Sequence, residues 1–166
     1  MRHIISILLE NEAGALSRVS GLFSARGYNI ESLTVAPTDD PTVSRITVVT
    51  GGSEDVIEQI KNQLNKLVDV VKVLDLTADV HVEREILLLK LRDTDATQAV
   101  LDILTNEYAG IVVDHSNSTI VVEITGTYEK IDRAIQAVPN EVIHELVRSG
   151  ALGITAGKTV LKLESM

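Results

Sequence analysis

The chain of 166 residues contains no cysteine, no tryptophan, one phenylalanine, three tyrosines and three prolines. Without thiols there are no disulfides, thiolate nucleophiles, cysteine-based zinc sites or iron–sulfur clusters, and a reducing cytoplasm is the compartment such a chain suits. With aromatics at 2% the core must be aliphatic, as in β-branched strands packed under Leu- and Ile-bearing helices. Basic residues are also scarce. Lys and Arg number 15 against 24 Asp and Glu, a net charge of −9, the wrong sign for neutralising phosphates, so no nucleic-acid partner is expected. The opening apolar run, 4–9, stops at Glu10, too short to cross a bilayer and without a small-residue cleavage site. It reads as a strand, with no membrane partner. Catalytic signatures are missing as well: His3, His81, His115 and His144 stand at no metal-ligand spacing, and there is no Gly-x-Ser-x-Gly elbow or Walker loop. No catalytic or metal-binding residue is assigned, and an enzyme would have to be assembled from scattered groups such as His115 and Asp114.

Apolar residues are abundant, at 45%, and their order is informative. The strand over 4–9 runs into Asn11-Glu12-Ala13-Gly14, after which Leu16, Val19, Leu22 and Phe23 recur at helical spacing and Gly27 marks a left-handed stop. Two extended stretches, 29–36 and 43–50, flank the turn Pro37-Thr38-Asp39-Asp40-Pro41. Asp39 and Asp40 are read as turn formers rather than cation ligands. Ser53 is placed to cap a second helix bearing Val56, Ile57, Ile60 and Leu64, ahead of a β-rich run over 68–76.

The same unit follows again. A strand over 86–91 precedes a helix marked by Ala96, Val100, Ile103 and Leu104, then a hairpin of 111–114 and 119–125 around Asn117, then a helix stripe of Ile131, Ala134, Ile135 and Val138. Laying Gly126 on Gly52 also matches Ile120 with Ile46, Val122 with Val48 and Ile131 with Ile57. The first strands align at a different offset, Ile86 on Ile4, which places the extra residues in the first unit's 37–41 turn. The reading is an α+β chain of two tandem ferredoxin-like βαββαβ domains, antiparallel sheets with helices on one face, at 1–77 and 83–166, joined by a linker at 78–82. The surplus of Val and Ile predicts burial of a remaining face or edge against a second copy.

One loop stands out chemically. Asn11 to Leu16 leaves an apolar strand, is built of small residues, and opens a helix whose first N–H groups and dipole favour a carboxylate. Asn11 either caps that helix or bonds a ligand amine, and free carbonyls at the strand end would take the rest of an ammonium group. An amino acid suits this pairing. The second unit has Asp93-Thr94-Asp95-Ala96 at the aligned place, two carboxylates and no glycine, and should repel an anion.

The run from Leu9 through Asn11-Glu12-Ala13-Gly14-Ala15-Leu16 to Val19, followed by Arg26-Gly27-Tyr28-Asn29-Ile30-Glu31-Ser32-Leu33, Ser44-Arg45-Ile46-Thr47, Gln63-Leu64-Asn65-Lys66-Leu67-Val68-Asp69-Val70 and Glu83-Arg84-Glu85, resembles the small regulatory subunits of acetohydroxyacid synthase, also called acetolactate synthase, whose first unit is an ACT domain. The resemblance implies a noncatalytic partner, with no cofactor of its own, that activates a large catalytic subunit carrying thiamine diphosphate, magnesium and FAD. It implies feedback inhibition by valine in branched-chain amino-acid biosynthesis and a homodimer through the first domain. By the same resemblance, the effector site is the Asn11–Leu16 loop, Ala13 included, facing Asn29 and Ile30 of a second protomer: Asn11 holds the effector's polar head, Gly14 and Ala15 supply backbone donors, and Leu16 and Ile30 line the isopropyl pocket. Arg148-Ser149-Gly150 and Gly153 to Lys158 resemble the family's closing segment, with Ala156 where a basic residue is common. The alternative is a stand-alone amino-acid-binding sensor acting on another target.

Overall fold

Alternating apolar residues on both sides of one strand require two covers. The first strand, β1 (Arg2–Glu10), is buried from His3 to Leu9 without interruption. The computed structural model describes residues 1–116 and 118–162, so the Asn117 turn expected from the sequence lies outside the described residues.

In the first unit β1 is followed by α1 (Ala15–Ala25), β2 (Ile30–Pro37), β3 (Val43–Gly51), α2 (Glu54–Leu64) and β4 (Val70–Asp75). The sheet order is β2-β3-β1-β4, with each neighbouring pair antiparallel, the split βαβ arrangement read from the sequence. Ile5, Ile7 and Leu9 meet Ala15, Val19, Leu22 and Phe23 of α1 and Ile57, Ile60 and Leu64 of α2. Each such side chain contributes roughly 1.5–3 kcal/mol on burial. Gly27, at φ +68°, ends α1: its N–H donates to Ser24 C=O and that of Tyr28 to Phe23 C=O, a Schellman motif only a residue tolerant of positive φ permits. Ser53 stands at the N-cap of α2, yet its side chain makes no bond to the helix. The 37–41 turn closes as expected: Asp40 Oδ1 accepts from Thr42 N–H at 2.9 Å and from its hydroxyl at 2.7 Å, which holds the Asp40 carboxyl below its ordinary value.

The other face of this sheet is where the structure departs from the sequence reading. Ile4 and Val49 pack with Leu76 and Ala151, and Leu8 and Val43 with Leu161. The cover is residues 151–162, which the sequence assigned to the second domain and which group instead with 1–82. Thr34 Oγ1 donates to Ala151 C=O at 2.9 Å, Arg45 Nη2 to Gly153 C=O at 2.9 Å, and Ala156 N–H to Val80 C=O at 2.8 Å. Arg45 is anchored from beneath by Ser6 Oγ at 2.8 Å, and its partial burial lowers the guanidinium pKa. A Cβ on Gly153 would stand 2.5 Å from Leu76 Cδ1, a side chain with no exposure. Gly153→Val is therefore expected to lower the first unit's stability by about 1–3 kcal/mol, read as a shift in the urea midpoint. An unchanged midpoint would mean the segment is not seated there.

The second unit, 83–150, comprises most of β5 (His81–Arg92), then α3 (Thr97–Tyr108), β6 (Ile111–Ser116), β7 (Thr119–Gly126), α4 (Tyr128–Gln136) and β8 (Ile143–Arg148). Its sheet runs β6-β7-β5-β8. Leu87, Leu89 and Leu91 take the places of Ile5, Ile7 and Leu9 and pack on Val100, Leu104, Ile131 and Ala134. The repeat register differs from the sequence alignment in one detail. Val48 pairs Ile5 and Ile124 pairs Leu87, so Ile124, not Val122, corresponds to Val48. Gly51 and Gly52 precede the cap Ser53 in the first unit, whereas Thr127 follows Gly126 directly and caps α4. A two-residue offset leaves every side chain on its original face, which is why the alignment still reads as a repeat.

Candidate functional site

The loop between β1 and α1 is held from both sides. Toward β3, Asn11 N–H donates to Thr42 C=O at 2.7 Å, its Nδ2 donates to Pro41 C=O at 3.0 Å, and its Oδ1 accepts from Ser44 Oγ at 3.1 Å. Asn11 thus ties the loop to the 37–44 hairpin and is not the helix cap. That position is Gly14, at φ +86° and ψ −8°, with no side-chain bond to the helix and no acidic residue in the first turn. Leu16 and Ser17 carry first-turn N–H groups of the kind a helix leaves without intrahelical acceptors. The start of α1 is an uncapped positive end.

Toward β4, Arg18 forks onto Asp69. Nη2 donates to Oδ1 at 2.7 Å and Nε to Oδ2, while Asp69 C=O accepts from Glu10 N–H at 2.8 Å. The Asp69 side chain is 8% exposed and the Arg18 side chain 48%. Hydrogen bonds from Arg18 hold the Asp69 carboxyl below its ordinary value against the opposing effect of burial. The pair's contribution is complete above the unfolded carboxylate pKa and is lost only as pH falls through the lower folded value.

Beside this loop is a cleft of about 270 Å³ lined by Leu9, Glu10, Asn11, Glu12, Ala15 and Leu16, and on the β2–β3 side by Val35, Ala36, Pro37 and Ser44. Apolar walls, two carboxylates and a helix start meet in one place. Leu16 belongs to the cleft rather than to the helix stripe: it is 39% exposed, whereas Ala15 beside it is buried. Ala13 and Gly14 shape the loop without lining the cleft. Asn29 and Ile30 are at the other end of β2. Ile30 pairs Thr50, and Asn29 C=O accepts from Thr50 Oγ1 at 2.6 Å, so one chain does not bring them to Asn11. Sequence reasoning missed the Arg18–Asp69 pair and the β2 wall, because residues far apart in sequence form them, and passed over Glu10, which adjoins Asn11 at the end of β1.

The second unit has a counterpart cleft of about 390 Å³ of different chemistry. Asp93 N–H donates to Ser118 C=O, as Asn11 does to Thr42, but Asp93 and Asp95 stand in the loop and the Thr97 hydroxyl is engaged by Thr94 and Arg92. His115 Nε2 is 3.0 Å from Asp93 Oδ2, while Asp114 accepts from Ser116. The structure therefore does not pair His115 with Asp114. Among the described residues, no group of three or more His, Cys, Asp or Glu side chains could hold a metal ion, and no helix is long and apolar enough to cross a membrane. Within the Glu83-Arg84-Glu85 motif, Glu85 is an intramolecular partner: Arg148 Nε donates to Oε1 at 2.7 Å and Nη2 to Oε2 at 2.9 Å.

The family model for the ACT domain of acetohydroxyacid synthase small subunits matches residues 5–72, and the model for the small subunit of acetolactate synthase matches 84–157. The chain belongs to the acetolactate synthase small-subunit family. It is 49% identical to the acetolactate synthase small subunit of Buchnera aphidicola (subsp. Schizaphis graminum) over 95% of this chain and all of that one. It is 48% identical to the small subunit of acetolactate synthase isozyme 3 of Escherichia coli over 98% of this chain and all of that one. The crystal structure of the Thermotoga maritima acetolactate synthase small subunit superposes with a TM-score of 0.87 at 33% identity, covering 96% of this chain and 99% of that one. The cleft lies within the ACT-domain match. The second match runs on to 157 and so includes part of the segment that packs on the first unit.

Proposed function

We propose that this small subunit activates the catalytic subunit of acetohydroxyacid synthase and makes it sensitive to valine bound at the Asn11–Leu16 loop. The observation that carries this reading is the uncapped start of α1 opening beside an apolar cleft of about 270 Å³. The effector carboxylate meets the first-turn N–H groups, where backbone donors and the helix dipole favour an anion. Glu10 and Glu12 face the ammonium group, and Leu9, Leu16, Val35 and Pro37 take the isopropyl group. Two first units associate as a homodimer, which lets Asn29 and Ile30 of one protomer approach the loop of the other. Thiamine diphosphate, magnesium and FAD belong to the catalytic partner.

Burying a valine side chain gives roughly 1.5–3 kcal/mol, and charge-assisted hydrogen bonds add about 1.5–3 kcal/mol each before ordering costs. The affinity expected is micromolar to millimolar, about 4–8 kcal/mol. Inhibition requires that valine favour one arrangement of the holoenzyme over another, because equal binding to both transmits nothing. Two measurements test the reading. Calorimetry with valine, leucine, isoleucine and glutamate should give saturable binding of a branched-chain amino acid and none of glutamate. Added to its catalytic partner, the protein should raise acetolactate formation, and valine should suppress the rise. Failure of stimulation would remove the regulatory role, and failure of binding would remove the effector site.

A further inference from the structure

Gly14 and Arg18 are one helical turn apart, and the turn is tight: a Cβ built on Gly14 would stand 3.0 Å from Arg18 Nη1. Nε and Nη2 of the same guanidinium are both committed to Asp69. Asp69 precedes β4, is buried, and through its backbone carbonyl also receives the N–H of Glu10, the last residue of β1 before the loop. One residue therefore grips both ends of the effector loop: its carbonyl holds the end of β1 and its carboxylate holds the first turns of α1 through Arg18. On the opposite side the Asn11 side chain makes the only other side-chain tie described between this loop and the rest of the fold.

We propose that the Arg18–Asp69 pair is a positioning pair for the effector: it holds the start of α1 against β1 so that the loop's N–H groups face the cleft. Arg18 is outside the cleft lining and acts through the loop. The fork matters as well as the charge. Two parallel bonds fix the direction of α1, which a single ammonium donor cannot do. A loop held in its binding geometry spares the effector the cost of ordering it. The inference rests on the effector site proposed above.

The test is calorimetric titration of the full chain with valine, at a temperature well below melting, for wild type, Arg18→Lys, Arg18→Gln, Asp69→Asn, the single variants Arg18→Asp and Asp69→Arg, and the exchange that combines these two. Positioning predicts an unchanged number of sites per folded chain and a dissociation constant raised about tenfold in Arg18→Gln and Asp69→Asn. Arg18→Lys should recover part of the loss, and the exchange should recover more than the sum of its single variants allows. A further readout is pH. In Arg18→Gln the buried Asp69 loses the guanidinium bonds that keep its carboxyl low, so affinity should fall more steeply on mild acidification than in wild type, where only the cleft carboxylates Glu10 and Glu12 respond. A fall in the number of sites with an unchanged dissociation constant would make the pair merely structural and overturn the inference, as would unchanged affinity in every variant. Absence of valine binding by wild type would overturn the effector site and this inference together.

Discussion

Gly14→Asp is expected to abolish valine binding. Gly14 holds φ +86°, a left-handed conformation that aspartate adopts more readily than most side chains, so the loop can accept the residue at modest strain. Its carboxylate, however, would enter at the start of α1, where it meets the same donors and the same positive end that the effector carboxylate needs. The new Cβ would also stand 3.0 Å from Arg18 Nη1, inviting the guanidinium to leave Asp69 and pull the loop from its seat. Losing one charge-assisted contact costs about 1.5–3 kcal/mol, and repulsion adds to it, so the affinity should fall at least about a hundredfold. Calorimetry should show a dissociation constant at least about a hundredfold above that of wild type. Gly14→Ala separates the two causes: it carries the backbone strain without the charge and should retain weakened, saturable binding. Affinity within twofold of wild type in Gly14→Asp would place the effector elsewhere.

The second large effect is on stability. Arg148, at the end of β8, forks onto Glu85 of β5 and reaches Asp132 of α4 at 2.8 Å, while its guanidinium carbon is 5.1 Å from the centre of the Tyr128 ring. The side chain of Glu85 is 4% exposed and that of Arg148 27%. These bonds raise the Arg148 pKa, first through Glu85. Arg148→Met keeps the aliphatic stem and removes every donor, leaving a carboxylate buried with no counter-charge. Breaking a buried pair from one side typically costs about 3–5 kcal/mol, and the partial exposure of Arg148 puts the expectation at the lower end. Thermal unfolding of the second unit should shift down by several degrees, with recovery when Glu85→Gln is added, because the orphaned charge is then gone. No shift, or no recovery, would mean that water reaches Glu85 freely.

Periodicity made most of the secondary structure legible before any coordinates. The stripes Val19-Leu22-Phe23, Ile57-Ile60-Leu64 and Ile131-Ala134 are buried as their spacing predicts, and Gly27 ends its helix at the expected positive φ. The loop proposed to hold the effector was legible in part. Its small residues and the helix behind it are local signals, whereas the Arg18–Asp69 pair and the cleft that Leu16 shares with Val35 join distant stretches of chain in ways that no periodicity encodes. Short polar side chains before helices usually cap them, whereas the N-cap here is Gly14 and Asn11 bonds the hairpin at Pro41 and Ser44. The covering segment left one trace in the sequence. Ile4 and Leu8 are as apolar as Ile5 and Leu9, which says that β1 is buried on both faces but not by what. A second copy was the expected cover, and for this face the chain supplies its own.

That cover has a temporal consequence. During synthesis the residues of the first sheet emerge first and those that close it, 151–162, emerge after the whole second unit. A nascent chain therefore displays Ile4, Leu8, Val43, Val49 and Leu76 for the time it takes to translate 83–150, and the second unit can fold while the first is still unfinished. A premature stop just after Gly150 would spare the later-made domain and injure the earlier-made one, so truncation damage would surface in the ACT-domain half of the polypeptide, far in sequence from the lesion.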